Sequence, residues 1–287
     1  MAGRDPPYNA GNDPVSDAMT DSDKRFDGSI PALYEEYLVP LIFAPYAADL
    51  VRRVAGLKPR RILEIAAGTG VVTRALSDAL PDADIIATDL NPAMLEQARA
   101  TGTARPVEWR QADAMALPFG DAEFDAVVCQ FGAMFFPDKP RAYAETRRVL
   151  KPGGTFLFNV WDRIDENDFA AAIGDALARV FPGDPPRFMA RTPHGYHDLA
   201  TIRRDLAAGG FANSPRIETI AQRSIAASAR DVALAYCQGT PWRNEIEARE
   251  PSKLEAATDA AAAEIARRFG NGVVDGKIQA HVIRIEA

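Results

Sequence analysis

The sequence predicts a doubly wound α/β sheet, and three observations carry that prediction. The apolar run Arg61-Ile62-Leu63-Glu64-Ile65 breaks into Ala66-Ala67-Gly68-Thr69-Gly70 and then enters an amphipathic helix. A second run, Ile85-Ile86-Ala87-Thr88, ends in Asp89 about twenty residues later. Strand-length apolar runs then alternate with helix-period segments as far as Trp161, the pattern of parallel strands joined by right-handed crossovers.

The elements follow in order. Residues 1–24 are rich in Asp, Pro, Asn, Gly and Ser with no apolar period, which predicts a disordered leader. From Ser29, the residues Leu33, Tyr34, Tyr37, Leu38, Leu41 and Ile42 recur at three- and four-residue spacing. Pro40 and Pro45 interrupt them, predicting two short helices with a bend, then a further helix near Ala47 to Ala55. Strand one is Arg61 to Ile65, and Val72, Ala75, Leu76 and Leu80 mark the buried face of the helix after it. Strand two is Asp84 to Thr88. Asn91-Pro92 then opens a helix with Met94, Leu95 and Ala98 inward, Asn as cap and Pro at the first helical position.

Strand three spans Val107 to Gln111 and strand four Phe124 to Cys129, a continuous apolar run of the kind found inside parallel sheets. A helix from about Lys139 to Leu150 ends at Lys151-Pro152-Gly153-Gly154, and strand five runs from Thr155 to Trp161. The rhythm then breaks. Residues 162–215 and 226–270 are helical in composition, interrupted by prolines, and are expected to form a lid over the strand ends, where ligands bind in such sheets. Strands at Arg216 to Ile225 and Lys277 to Ile285 complete seven, with Asn271-Gly272 and Asp275-Gly276 as turn signals before the last. The expected architecture is a Rossmann-like seven-stranded sheet, mostly parallel with an antiparallel last strand. Residues 25–287 read as one domain with lid insertions.

Composition narrows the function. Of 287 residues, 47% are hydrophobic, ample for a buried core. A net charge of −7 argues against a nucleic-acid partner, which needs a basic surface. No apolar run reaches the roughly 18 residues of a membrane helix, and no basic-then-apolar signal segment opens the chain. Cys129 and Cys237 lack metal-ligand spacing and only three histidines occur, so no metal site is expected. The reading is a cytoplasmic protein acting on a small molecule, with a homodimer left open.

The glycine turn carries the chemistry. A strand that breaks into glycines and then a helix lets the backbone approach a ligand without side chains in the way. A carboxylate at the tip of the next strand is placed to accept from both hydroxyls of a ribose. Gly68, Gly70 and Asp89 together predict a nucleoside cofactor.

The ordered series Glu64-x-x-x-Gly68-x-Gly70, Asp89, Asp113-Ala114, Phe124-Asp125-Ala-Val-Val-Cys-Gln130 and Leu150-Lys-Pro-Gly-Gly154 resembles the class I S-adenosylmethionine-dependent methyltransferases. It is most similar to the type 11 group that includes the ubiquinone and menaquinone C-methyltransferases. The resemblance covers Leu33 to Trp161, and Gly276-Lys-Ile-Gln-Ala-His-Val-Ile283 looks like the last strand of that group. It implies that Ala66, Ala67, Gly68 and Gly70 wrap the methionine part of S-adenosyl-L-methionine, with Glu64 and Thr73 in the same motif. Asp89 would hold the ribose, Leu90 and Met94 would pack on the adenine, and Asp113 and Ala114 would bond its edge. Gln130 and Phe131 would line the methyl-transfer face, and Tyr34 would place a phenol near the cofactor carboxylate. The family often carries glycine where this chain has Ala66.

Asp5-Pro6-Pro7-Tyr8 matches the tetrapeptide with which amino-methyltransferases grip a planar amine, but no strand precedes it, and Cys129-Gln130-Phe131-Gly132 occupies the expected place. In Thr192-Pro193-His194-Gly195-Tyr196-His197-Asp198, within the expected lid, His194 and His197 are candidate general bases. Tyr196 and Arg243 are weaker candidates, and His281 is assigned to the last strand. Two other readings stay open: a cofactor-binding protein without turnover, and a nicotinamide-dependent oxidoreductase. The turn, Ala-Ala-Gly-Thr-Gly rather than G-x-G-x-x-G, disfavours the second.

Overall fold

The computed structural model describes residues 19–287. The Asp5–Tyr8 tetrapeptide and most of the expected leader lie outside the described residues. Seven strands form one sheet: β1 (Arg61–Ile65), β2 (Asp84–Asp89), β3 (Glu108–Gln111), β4 (Phe124–Gln130), β5 (Leu150–Trp161), β6 (Arg216–Ala226) and β7 (Val274–Glu286). Their order is β3-β2-β1-β4-β5-β7-β6. Strands β3 to β5 pair in parallel through β2, β1 and β4, whereas β7 runs antiparallel to both β5 and β6. This is the expected doubly wound sheet with its antiparallel last strand. Its strand order reverses between β1 and β4, and open α/β sheets bind ligands in the crevice that such a reversal opens.

Strands buried on both faces explain the unbroken apolar runs. On one face, Ile62, Val128 and Leu157 pack against Leu50 and Val54 of α2 (Ala44–Ala55) and Leu76 of α3 (Val71–Ala79). On the other, Val127, Cys129, Phe156 and Phe158 meet Ala142, Tyr143 and Val149 of a further helix, Lys139–Val149. Helix α4 (Pro92–Thr101) begins after Asn91 as expected, although the Asn91 amide donates to the carbonyl of Lys24 at 2.7 Å instead of capping the helix. In chain order Lys139–Val149 is α5.

Three expectations change. The two short helices form one run: α1 (Ile30–Leu33), a π-helical segment (Tyr34–Phe43) and α2. The wider ladder of a π-helix accommodates Pro40, whose ring would strike the carbonyl four residues back in an α-helix. Asp275-Gly276 is not a turn but lies inside β7, where Asp275 pairs with Ile225. Glycine is required there because a Cβ on Gly276 would lie 2.8 Å from the Phe169 ring.

Nor does the leader run through Lys24. Asp21–Lys24 forms a 3-10 turn, and the fully buried Asp23 carboxylate accepts from the Arg191 guanidinium at 2.5 Å and the Thr192 hydroxyl at 2.6 Å. That partner sits 168 residues away, beyond any local reading of the sequence.

The insertions supply α6 (Asp168–Val180), α7 (Phe188–Arg191), α8 (Leu199–Ala208), α9 (Ala229–Cys237), α10 (Trp242–Arg249) and α11 (Leu254–Phe269). Helix α8 packs beside α5 on the sheet, while α6 and α9 both pack on α11 and α9 meets the π-helical segment. Among the described residues, no helix is long and apolar enough to cross a membrane.

Candidate functional site

The backbone after β1 rises in a left-handed turn, with φ of +55° at Ala66, +58° at Gly68 and +88° at Gly70. At Gly70 the need for glycine is steric as well, since a Cβ would lie 2.7 Å from the Trp109 ring. Ala67 donates its N–H to the carbonyl of Thr88 at 2.9 Å, tying the turn to β2. Gly68 donates to Asp89 Oδ2 at 2.8 Å, and Asn91 donates to Asp89 Oδ1 at 2.8 Å. The carboxylate is thus locked at the mouth of the turn, and burial raises its pKa against the pull of these backbone donors.

Around it stand the other residues singled out in the sequence. Leu90, beside Asp89, is 51% exposed, one of three large apolar side chains so placed among the described residues. Met94 is buried beneath the turn, its Cε 3.6 Å from where a Cβ on Gly68 would lie. The Tyr34 hydroxyl comes within 3.9 Å of the same point, and its ring stacks on Phe43 at 4.9 Å. Ala112 donates to the carbonyl of Asp89, which brings Asp113 and Ala114 to the same mouth. Asp113 turns one carboxylate oxygen to the Met115 N–H at 2.8 Å. Glu64 and Thr73 lie behind the turn and are bonded to each other, Oγ1 to Oε2, at 2.5 Å. Burial there pushes the Glu64 carboxyl up to about 8.

The second half of the site is at the tips of β4 and β5. Gln130 donates to the carbonyl of Phe43 at 3.2 Å, while its Oε1 is buried without a partner. Asn159, its neighbour in register on β5, is fully buried with neither side-chain atom bonded. Unpaired buried amides are uncommon and mark polar ground. Phe131 takes a left-handed φ of +54° and stacks face to face on Trp161, with ring centroids 3.8 Å apart. For an aromatic residue such a backbone is strained, and strain of this kind gathers at functional sites.

Two of the three histidines, His194 and His281, contact Asp162, the residue after β5, and the third, His197, bonds His194. His194 Nδ1 donates to the Asp162 backbone carbonyl at 2.7 Å, and His281 Nε2 lies 3.3 Å from the Asp162 carboxylate. His197 Nδ1 donates to the carbonyl of His194 at 2.8 Å. Burial lowers His194 to about 4, and it also lowers His281. Because a carbonyl only accepts, the neutral His194 carries its hydrogen on Nδ1 and presents Nε2 as an acceptor. Its ring is 6.0 Å from Trp161, so it belongs to the same wall as Phe131.

Tyr196 and Arg243 do not join. The Tyr196 hydroxyl bonds Tyr143 and Asp205 on the α5 side, and Arg243 bonds Glu247 and Ser29. Among the described residues, no group of three or more His, Cys, Asp and Glu side chains is arranged to hold a metal. Sequence reasoning missed Asn159, Trp161 and Asp162, although their place at the carboxyl end of a central strand was a readable signal.

Comparison with known proteins bears on the domain and the fold. Residues 63–158 match a family model described as a methyltransferase domain. A demethylmenaquinone methyltransferase of Thermus thermophilus is 46% identical over 138 residues, which is 47% of this chain and 61% of that protein. An uncharacterised Mycobacterium bovis protein is 38% identical over 137 residues, 47% of each chain. The match therefore spans about half the length of these mycobacterial relatives. Among solved structures, the phosphoethanolamine N-methyltransferase 2 of Haemonchus contortus, in complex with S-adenosylhomocysteine, superposes with a TM-score of 0.58. That likeness has 16% identity and covers 94% of this chain and 60% of the other. At such identity it speaks for the fold. Residues 63–158, about a third of the chain, are therefore similar to a methyltransferase domain.

Proposed function

From the match of residues 63–158 to a methyltransferase domain, we propose that this chain transfers the methyl group of S-adenosylmethionine to a small-molecule acceptor. The observation that carries the reading is the Asp89 carboxylate, locked against the Gly68 N–H beside the exposed Leu90 at the point where the strand order reverses. These residues fit the cofactor: a turn of small residues with two glycines, a carboxylate for the ribose hydroxyls, an apolar platform for the adenine and Asp113 at its edge. Ala66, Ala67, Gly68 and Gly70 would hold the methionine part, with Tyr34 above them. Glu64 and Thr73 support the turn from behind.

The sulfonium methyl of the bound cofactor is already activated, so the protein's task is alignment more than covalent catalysis. Gln130 and Phe131 would wall the transfer path. Phe43, Phe131 and Trp161 favour a small, partly apolar acceptor with a flat face, and the name of the Thermus relative supports an acceptor of that kind. His194, neutral at pH 7 with Nε2 as acceptor, would take a proton or hydrogen bond from it. His197 holds the main chain of His194 in place.

Titration calorimetry tests the reading, with S-adenosylmethionine and S-adenosylhomocysteine against NAD and NADP. Micromolar binding of the first pair alone is expected. Binding of the nicotinamide pair instead would overturn it, and a bound cofactor with no turnover across an acceptor panel would reduce the chain to a binding protein.

A further inference from the structure

Two polar atoms near the glycine turn are buried without a partner, and the proposed nucleoside contacts use neither. Glu35 stands in the first turn of the π-helical segment, beside Tyr34. Its Oε1 accepts from Arg74 Nη2 at 2.6 Å, whereas its Oε2 is buried and unbonded. Thr69, between the two glycines of the turn, is 1% exposed and its hydroxyl is unbonded as well. One guanidinium joins them, since Arg74 Nη1 donates to the carbonyl of Thr69 at 2.7 Å. Arg74 thus ties the Glu35 carboxylate to the main chain of the turn at Thr69, next to Gly68, where an added Cβ would lie 3.9 Å from the hydroxyl of Tyr34, the neighbour of Glu35.

A buried carboxylate oxygen with no donor is costly, and Arg74 satisfies only its sister oxygen. What completes the set is a compact cation with several N–H donors. A primary ammonium is such a group, and Arg74 and the Thr69 hydroxyl beside it suit a neighbouring carboxylate. Resting on the proposed cofactor, we propose that Glu35 is the residue that binds the α-ammonium of its methionine end. Thr69 completes the recognition of that α-amino acid group. The site thereby prefers the intact amino-acid cofactor over nucleoside thioethers that lack this end.

The test is titration calorimetry of the full chain with three probes: S-adenosylhomocysteine, its analogue without the amino group, and 5′-methylthioadenosine. For the unaltered protein, the amino group should be worth at least tenfold in affinity. Glu35→Gln should lose at least tenfold for S-adenosylhomocysteine, hold 5′-methylthioadenosine within twofold, and no longer tell the first two probes apart. Equal affinity of the unaltered protein for those two probes overturns the proposal without any variant having to fold. So does a Glu35→Gln chain that weakens all three alike, which would mark a structural role exerted through Arg74. Binding of none of the three by the unaltered protein would instead remove the cofactor reading itself.

Discussion

A Cβ on Gly132 would lie 2.4 Å from the Cβ of Ala66 and 2.8 Å from Cys129 Sγ. The turn after β1 and the turn after β4 thus close on each other through one methyl group, and the two positions share the space of one side chain. Ala66 holds this place despite its left-handed φ of +55°, a conformation that glycine adopts without strain. Gly132→Ala should cost about 1–3 kcal/mol by overpacking. Adding Ala66→Gly should recover part of that loss, with the Cys129 contact left over. Urea unfolding of the two single variants and the double variant reads the coupling, and strictly additive losses would separate the two turns.

Asp89 has two duties. Its carboxylate accepts the Gly68 and Asn91 N–H groups as well as serving the proposed ribose contact. Asp89→Ala should therefore lower stability by about 1–3 kcal/mol for the donors left unpaired. Affinity for S-adenosylhomocysteine should fall at least tenfold besides. Unchanged affinity in a folded variant would take the residue out of the site.

Glu64 should impose a loss of stability on the alkaline side. Burial lifts its pKa from an ordinary 4.5 to about 8, so the folded chain keeps a proton that the unfolded chain releases. Stability from this group is full below pH 4.5 and is lost as pH rises toward 8, by at most about 5 kcal/mol. Thermal unfolding between pH 6.5 and 8 should show a falling Tm that Glu64→Gln flattens. A slope identical in that variant would refute the assignment.

His194 acts in the opposite sense on the acid side. Its pKa drops from 6.5 to about 4, so stability is full above pH 6.5 and is lost as pH falls toward 4, by at most about 3 kcal/mol. His194→Gln should be less sensitive than the parent over pH 6.5 to 4. Equal sensitivity would mean that the ring is not buried neutral against Asp162.

The segment before the first helix is anchored by charge. Bonds from Arg191, Thr192 and Thr20 outweigh burial and hold the Asp23 carboxyl below its usual range. Arg191 also bonds Glu245 at 2.7 Å. Asp23→Ala leaves Arg191 half paired in a buried place and should cost about 3 kcal/mol. Equilibrium unfolding decides, and a change under about 0.5 kcal/mol, the range of ordinary surface substitutions, would make the anchor incidental.

Local pattern alone was enough for the alternating half of the molecule. Ile62, Val128 and Leu157 belong to apolar runs because parallel strands are buried on both faces, so strand positions and the glycine turn could be read without any partner being known. The same holds for Asp89, whose place at a strand tip follows from its distance along the chain. What no local pattern contains is which distant groups meet. Asp23 and Arg191, Asp162 and His281, Asn159 and Gln130, Glu35 and Arg74 are each joined by tertiary packing. The proposed cofactor half of the site was legible because one short segment and its crossover build it. The proposed acceptor half was not, because its residues come from β4, β5, β7 and the segment around His194, and only the folded chain brings those charges and amides out of water together.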